Sequence, residues 1–123
     1  MTRASRAVVL AMSMWISACS AYYAYDGPRR PESAVSIISL GDGVGFVRID
    51  EDRDPGVRGV VHIEPGEHMI GLRYGSNPSC WLSAKTEAGL RYVAEGSSRG
   101  KGFVIELVDT SSGRAVGSCE SIY

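Results

Sequence analysis

From Ala34 onward the apolar residues fall in short runs, many of them alternating with polar ones, and no stretch of eleven residues or more keeps a helical period. Runs rich in Val, Ile, Phe and Tyr predict strands at 34–40 (AVSIISL), 44–49 (VGFVRI), 57–63 (VRGVVHI), 68–74 (HMIGLRY), 80–86 (CWLSAKT), 90–95 (LRYVAE), 101–108 (KGFVIELV) and 114–119 (RAVGSC). Turn-forming clusters separate them: Gly41-Asp42-Gly43, Asp54-Pro55-Gly56, Glu64-Pro65-Gly66-Glu67, Glu87-Ala88-Gly89 and Ser111-Ser112-Gly113. Glycine supplies positive φ at such corners and proline presets φ. Short strands at this spacing predict an all-β fold, a single small antiparallel β-sandwich over 34–123.

The first eighteen residues follow a different pattern. Arg3 and Arg6 precede a mostly apolar run, Ala7 to Ala18 (AVVLAMSMWISA), and no acidic residue occurs before Asp26. This is the layout of a secretory signal. As a helix the run would rise about 18 Å, short of the roughly 30 Å hydrocarbon core, which disfavours a permanent span. The tetrad at its end, Ile16-Ser17-Ala18-Cys19, resembles the lipobox of bacterial lipoproteins: aliphatic, small, small, then the cysteine that takes the lipid. The resemblance implies cleavage before Cys19 and more than one acyl chain on it, enough for lasting membrane attachment. Ser20, rather than aspartate, follows the cysteine, which by the same resemblance implies the periplasmic side of the outer membrane over the inner membrane.

Residues 20–33 (SAYYAYDGPRRPES) carry turn formers and prolines and no sustained apolar period. With Cys19 they are expected to form a lipidated, flexible tether, 19–33, which would span roughly 20 Å. Two placements stay open for the tyrosines. Tyr22, Tyr23 and Tyr25 either lie in the headgroup zone, which suits a ring with a polar tip, or the segment from Tyr25 onward packs back on the domain as an edge.

Charge changes the picture little. Thirteen Lys and Arg against fourteen Asp and Glu give −1, which becomes −3 once Arg3 and Arg6 leave with the leader, so no basic footprint for nucleic acid exists. The residues from Cys19 onward suffice for one core, in the size range where cross-links help. Cys80 and Cys119 are the other two cysteines, and an oxidising periplasm would pair them as a disulfide.

Two stretches carry a further resemblance. Val61 to Leu72 (VHIEPGEHMIGL) resembles the PEGA-type repeat, in which a strand runs through a Pro-Gly-x-His corner into an alternating strand. Ala84 to Val93 (AKTEAGLRYV) resembles a strand pair of small uncharacterised proteobacterial lipoproteins, departing from it at Thr86-Glu87. The resemblance implies an immunoglobulin-like or transthyretin-like sandwich acting as a binding or envelope module.

Candidate chemistry is sparse. His62, Glu64, Glu67 and His68 crowd one region, but a two-residue Pro65-Gly66 hairpin corner would set Ile63 opposite His68 and His62 opposite Met69. The imidazoles would then point to opposite faces, against a metal, with His68 on the apolar side beside Val61, Ile70, Leu72 and Tyr74. Asp50, Asp52 and Asp54 place carboxylates at alternate positions, as a calcium loop does, yet Pro55 stands where the EF-hand has glycine and Val61 where it has the closing glutamate. A solvated hairpin tip is expected there. Gly96 to Gly102 (GSSRGKG) lacks P-loop order and is expected to be a flexible hairpin loop. There is no Gly-x-Ser-x-Gly elbow, and both histidines fall on one expected hairpin, so no catalytic set and no cofactor is expected. The sequence thus leads to a non-catalytic lipoprotein, bound to a membrane through Cys19 and to an envelope protein or cell-wall partner through its β domain. The alternative is a small-ligand or calcium-binding lipoprotein using Asp50 to Asp54.

Overall fold

The computed structural model describes residues 21–122, so the leader and Cys19 lie outside the described residues. Among the described residues nine strands follow one another: β1 (Ala21–Ala24), β2 (Ser36–Leu40), β3 (Val44–Ile49), β4 (Val60–Ile63), β5 (Gly66–Tyr74), β6 (Cys80–Thr86), β7 (Arg91–Arg99), β8 (Gly102–Asp109) and β9 (Ala115–Ile122). A single turn of 3-10 helix, Glu32–Ala34, precedes β2. The strands form two sheets, one in the order β1-β4-β2-β7-β8-β9 and one in the order β3-β5-β6.

Alternation in the sequence becomes two-sidedness in the strands. In β6, Cys80, Leu82, Ala84 and Thr86 are buried while Trp81, Ser83 and Lys85 are exposed. In β8, Phe103, Ile105 and Leu107 point inward. These meet Phe46 and Ile49 of β3, Ile70 and Leu72 of β5, and Ile38, Val61 and Ile63 of the larger sheet in one core. Each such side chain contributes about 1.5–3 kcal/mol on full burial, and this core is what joins the two sheets into a sandwich. Pairing is antiparallel throughout except for β1 with β4 and β2 with β7, which run parallel.

The eight expected strands are all present, with three departures. The first concerns Pro65-Gly66. β4 pairs with β1 and β2, whereas β5 pairs with β3 and β6, so the expected hairpin between them does not form. Gly66, at φ 133, turns the chain out of the larger sheet and into the smaller one. Sequential strands often pair, but here each partner offers better cover: Ile37 and Tyr23 flank His62 in the larger sheet, and Ser83 and Ala84 stand opposite Met69 and His68 in the smaller.

The second departure is at Gly96 to Gly102. Instead of a flexible loop, β7 continues to Arg99, pairs with Gly102, and leaves only Gly100-Lys101 as a two-residue turn with Gly100 at φ 58. Gly96 pairs with Ile105 as a strand residue, and Tyr74 occupies the space a side chain would need there: a Cβ would lie 2.5 Å from the ring.

The third is at the tether. The described part of 20–33 packs back on the domain, and it does so from Ala21. β1 adds to the edge of the larger sheet, Ala21 beside Val60 through Ala24 beside Ile63. Ala24 and Tyr25 are buried. Its side chains alternate between two apolar clusters. Tyr22 and Ala24 join the main core, while Tyr23 and Tyr25 join Val35, Ile37 and Val60 on the outer side of the sheet.

Candidate functional site

The tetrad Ile16-Ser17-Ala18-Cys19, which resembles a lipobox, ends two positions before β1 begins at Ala21, so this edge of the domain is the part next to it in the chain. Six contacts fasten it and the segment that follows. The Arg29 guanidinium stands 4.3 Å above the Tyr23 ring and that of Arg30 4.8 Å above Tyr25. The Arg30 backbone N–H donates to the Tyr25 hydroxyl at 3.0 Å. Arg30 pairs with Glu64 at 2.9 Å and Arg53 with Asp26 at 2.9 Å, and Arg91 pairs with Glu32. Exposed pairs of this kind contribute about 0–1 kcal/mol each, and an exposed cation–π contact about 0.5–1 kcal/mol, so the fastening is distributed. The hydrogen bond to Asp26, aided by Tyr22, holds the Arg53 pKa above its ordinary value.

His62 lies under this segment. Its ring is 4.9 Å from that of Tyr23, and its Nδ1 is buried without a hydrogen-bond partner. Burial pushes its pKa below the ordinary value, with Glu32 acting in the opposite sense and Arg91 and Arg29 in the same sense. His68 is elsewhere, in the smaller sheet. One ring nitrogen lies 2.5 Å from Asp50 Oδ2 and the other 2.6 Å from the Glu64 carbonyl. The two imidazoles are therefore separated, and by membership of different sheets rather than by opposite faces of one hairpin.

The acidic segment is a tight turn. Ile49 and Arg53 exchange backbone hydrogen bonds of 2.8 and 3.1 Å, and Asp50 and Glu51 between them sit at φ 51 and 68. Side chains rarely adopt that region, although aspartate tolerates it better than most. Asp50 is committed to β5: Oδ1 accepts from the Met69 N–H at 2.8 Å and Oδ2 faces His68. Asp54 Oδ1 accepts from the Gly56 N–H at 2.9 Å, and the Asp52 side chain is exposed. Asp50 thus spends its acceptors on β5 and Asp54 on the loop, while the Asp52 side chain faces solvent. Among the described residues, no group of three or more His, Cys, Asp or Glu side chains is placed to hold a metal ion.

Cys80 and Cys119 form a disulfide, with Cα atoms 5.8 Å apart. It joins β6 of the smaller sheet to β9 of the larger one and closes that side of the sandwich. Beside it the backbones approach closely: a Cβ on Gly117 would meet the Ser83 carbonyl oxygen at 2.5 Å.

Two groups were not singled out from sequence. β1 was masked by the neighbouring prolines, although Ala-Tyr-Tyr-Ala-Tyr is a strand-prone aromatic run. The exposed face of the smaller sheet, with Trp81, Met69, Arg48, Arg73 and Lys85, was overlooked because its residues are spread over three strands whose pairing order the sequence does not disclose. The chain matches no protein-family model, no curated protein and no solved structure.

Proposed function

We propose that this chain is the precursor of a membrane-anchored lipoprotein, cleaved before Cys19 and acylated there, whose β-sandwich serves as a non-catalytic binding module of the bacterial envelope on the periplasmic side of the outer membrane. The observation that carries the reading is Ile16-Ser17-Ala18-Cys19 placed directly after an apolar run with two arginines ahead of it. The Cys80–Cys119 disulfide supports it, because such bonds persist in oxidising compartments and are rare in the cytosol.

The start of β1 at Ala21 adds a consequence. With Cys19 in the membrane, two residue steps of at most about 3.6 Å each separate the anchor from the sandwich, so the domain is held about 7 Å away rather than on a 20 Å tether. The larger sheet's β1 edge then stands nearest the lipid, and the rest of the domain is turned to the periplasm. Fractionation tests the reading. Wild-type chain is expected in the membrane fraction and to incorporate a fatty-acid label, while Cys19→Ser is expected to lose the label and keep its leader. Equal labelling of the two, or a wild-type chain wholly in the soluble fraction, overturns it.

A further inference from the structure

The outer face of the smaller sheet sets two planar side chains over two glycines. Gly71 stands opposite Trp81 in the register, and Gly45 stands opposite Arg73. Each glycine lies beneath its neighbour's side chain: a Cβ on Gly71 would sit 3.3 Å from the indole Cη2, and one on Gly45 would sit 3.0 Å from Arg73 Nε and 3.7 Å from its Cζ. A side chain at either position would lift the planar group off the sheet. Without one, the indole reaches from β6 over Gly71 of β5 and the guanidinium from β5 over Gly45 of β3, and Trp81 remains 43% exposed. Met69, 45% exposed, is the diagonal neighbour of Trp81 across β5 and β6.

Charge on this face has one dominant sign. Arg48 stands opposite Gly71, in the same row as Trp81, and donates from Nη1 to the Glu51 carbonyl while remaining exposed. Arg73 and Lys85 are exposed as well, and among the described residues neither forms an ion pair. Glu67, opposite Lys85, is the acid of this face. The outer face of the larger sheet differs: Glu95 stands directly opposite Glu106, and Glu120 opposite Val104.

We propose that the Trp81 face is a binding platform for an anionic saccharide chain, one whose rings carry carboxylate or phosphate groups. A pyranose ring presents a flat set of C–H groups that packs on an exposed indole, and Arg73 on β5 and Arg48 on β3, both inward of the β6 indole across the sheet, supply donors for the anionic substituents, which guanidinium groups engage in bidentate fashion. A flat surface suits a chain laid across it, whereas an apolar side chain of a protein partner wants a pocket, and membrane insertion wants a ring that projects. The proposal rests on the envelope reading for where such a chain would be met, but the binding itself does not require the anchor.

The test is calorimetric titration of the full chain in non-ionic detergent with tetragalacturonate, with maltotetraose as the neutral counterpart and mixed micelles of the same detergent and phosphatidylglycerol as the lipid arm. Saturable binding of the uronate is expected, tighter than maltotetraose by at least about tenfold, the effect of one charge-assisted hydrogen bond. Trp81→Ala and Arg73→Gln should each weaken it by about tenfold, whereas Trp81→Phe, which keeps a ring, should retain most of it and Arg99→Gln all of it. Equal binding of the two saccharides, uronate binding indifferent to Trp81→Ala and Trp81→Phe alike, or binding to the phosphatidylglycerol micelles without saccharide binding would each overturn the proposal. The Cys19→Ser chain separates the two readings. It should bind the uronate as the wild type does, so loss of the acyl label with binding intact counts against the anchor alone, and an acylated chain that ignores the saccharide counts against the platform alone.

Discussion

Cleaving the Cys80–Cys119 bond leaves every strand pairing in place and changes chiefly the unfolded chain, so its effect follows from the loop it closes. The two cysteines are 39 residues apart. In the chain-entropy model, releasing a loop of that length raises the entropy of the unfolded state by an amount worth about 4 kcal/mol at 25 °C. That is a large share of the 5–15 kcal/mol typical of a domain, and for one of about this size it corresponds to a fall in Tm of roughly 15–30 °C. Reduction is the cleaner perturbation, because it keeps both sulfur atoms; Cys80→Ala with Cys119→Ala adds a small loss of packing, since Cys80 is buried in the core. The assay is urea unfolding followed by circular dichroism, with and without reductant. A lower midpoint is expected together with a steeper dependence on urea, because the reduced unfolded chain exposes more surface. A midpoint shift equivalent to less than about 1 kcal/mol, well under the loop-closure value, would refute the reasoning. So would alkylation of Cys80 or Cys119 in the native, unreduced protein.

Other perturbations have equally definite expectations. Gly117→Ala puts a methyl against the Ser83 carbonyl oxygen and must spread β9 from β6, so thermal melting should show a loss of about 1–3 kcal/mol, and a neutral result would contradict the close approach. Burial lowers the folded-state pKa of His62 below its unfolded value, so stability should be full above about pH 6.5 and decline as pH falls from there through the folded pKa; His62→Phe should remove that part of the pH dependence in urea titrations between pH 4 and 8. Asp50→Ala leaves the Met69 N–H and the His68 ring without their acceptor and should cost about 1–3 kcal/mol in the same unfolding assay, whereas Asp52→Ala, with an exposed side chain, should be nearly neutral.

Strands were legible wherever alternation was strong, as in β6 and β8, because a residue's side of a sheet follows directly from its parity. Pairing was less legible. A Pro-Gly corner reads as a hairpin from local chemistry, but whether the chain doubles back or crosses to another sheet depends on cover supplied from far away, here Tyr23 and Ile37 for β4 and β3 and β6 for β5. The same limit hid β1. Its pairing partner is more than thirty residues distant, and the prolines at 28 and 31 dominate any local reading. Cys80 and Cys119 could be matched in advance because a two-cysteine domain leaves one pairing. The Trp81 platform could not, since Gly45, Arg73, Gly71 and Trp81 become neighbours only once register is known.

The account turns on what becomes of Cys19 during export. Intact-mass and N-terminal peptide spectrometry of the chain extracted from bacterial membranes measures this directly: a mature species beginning at Cys19 and heavier than its sequence by glyceride and acyl groups is the predicted result. A mature species that begins elsewhere, or that begins at Cys19 with an unmodified thiol, would contradict it.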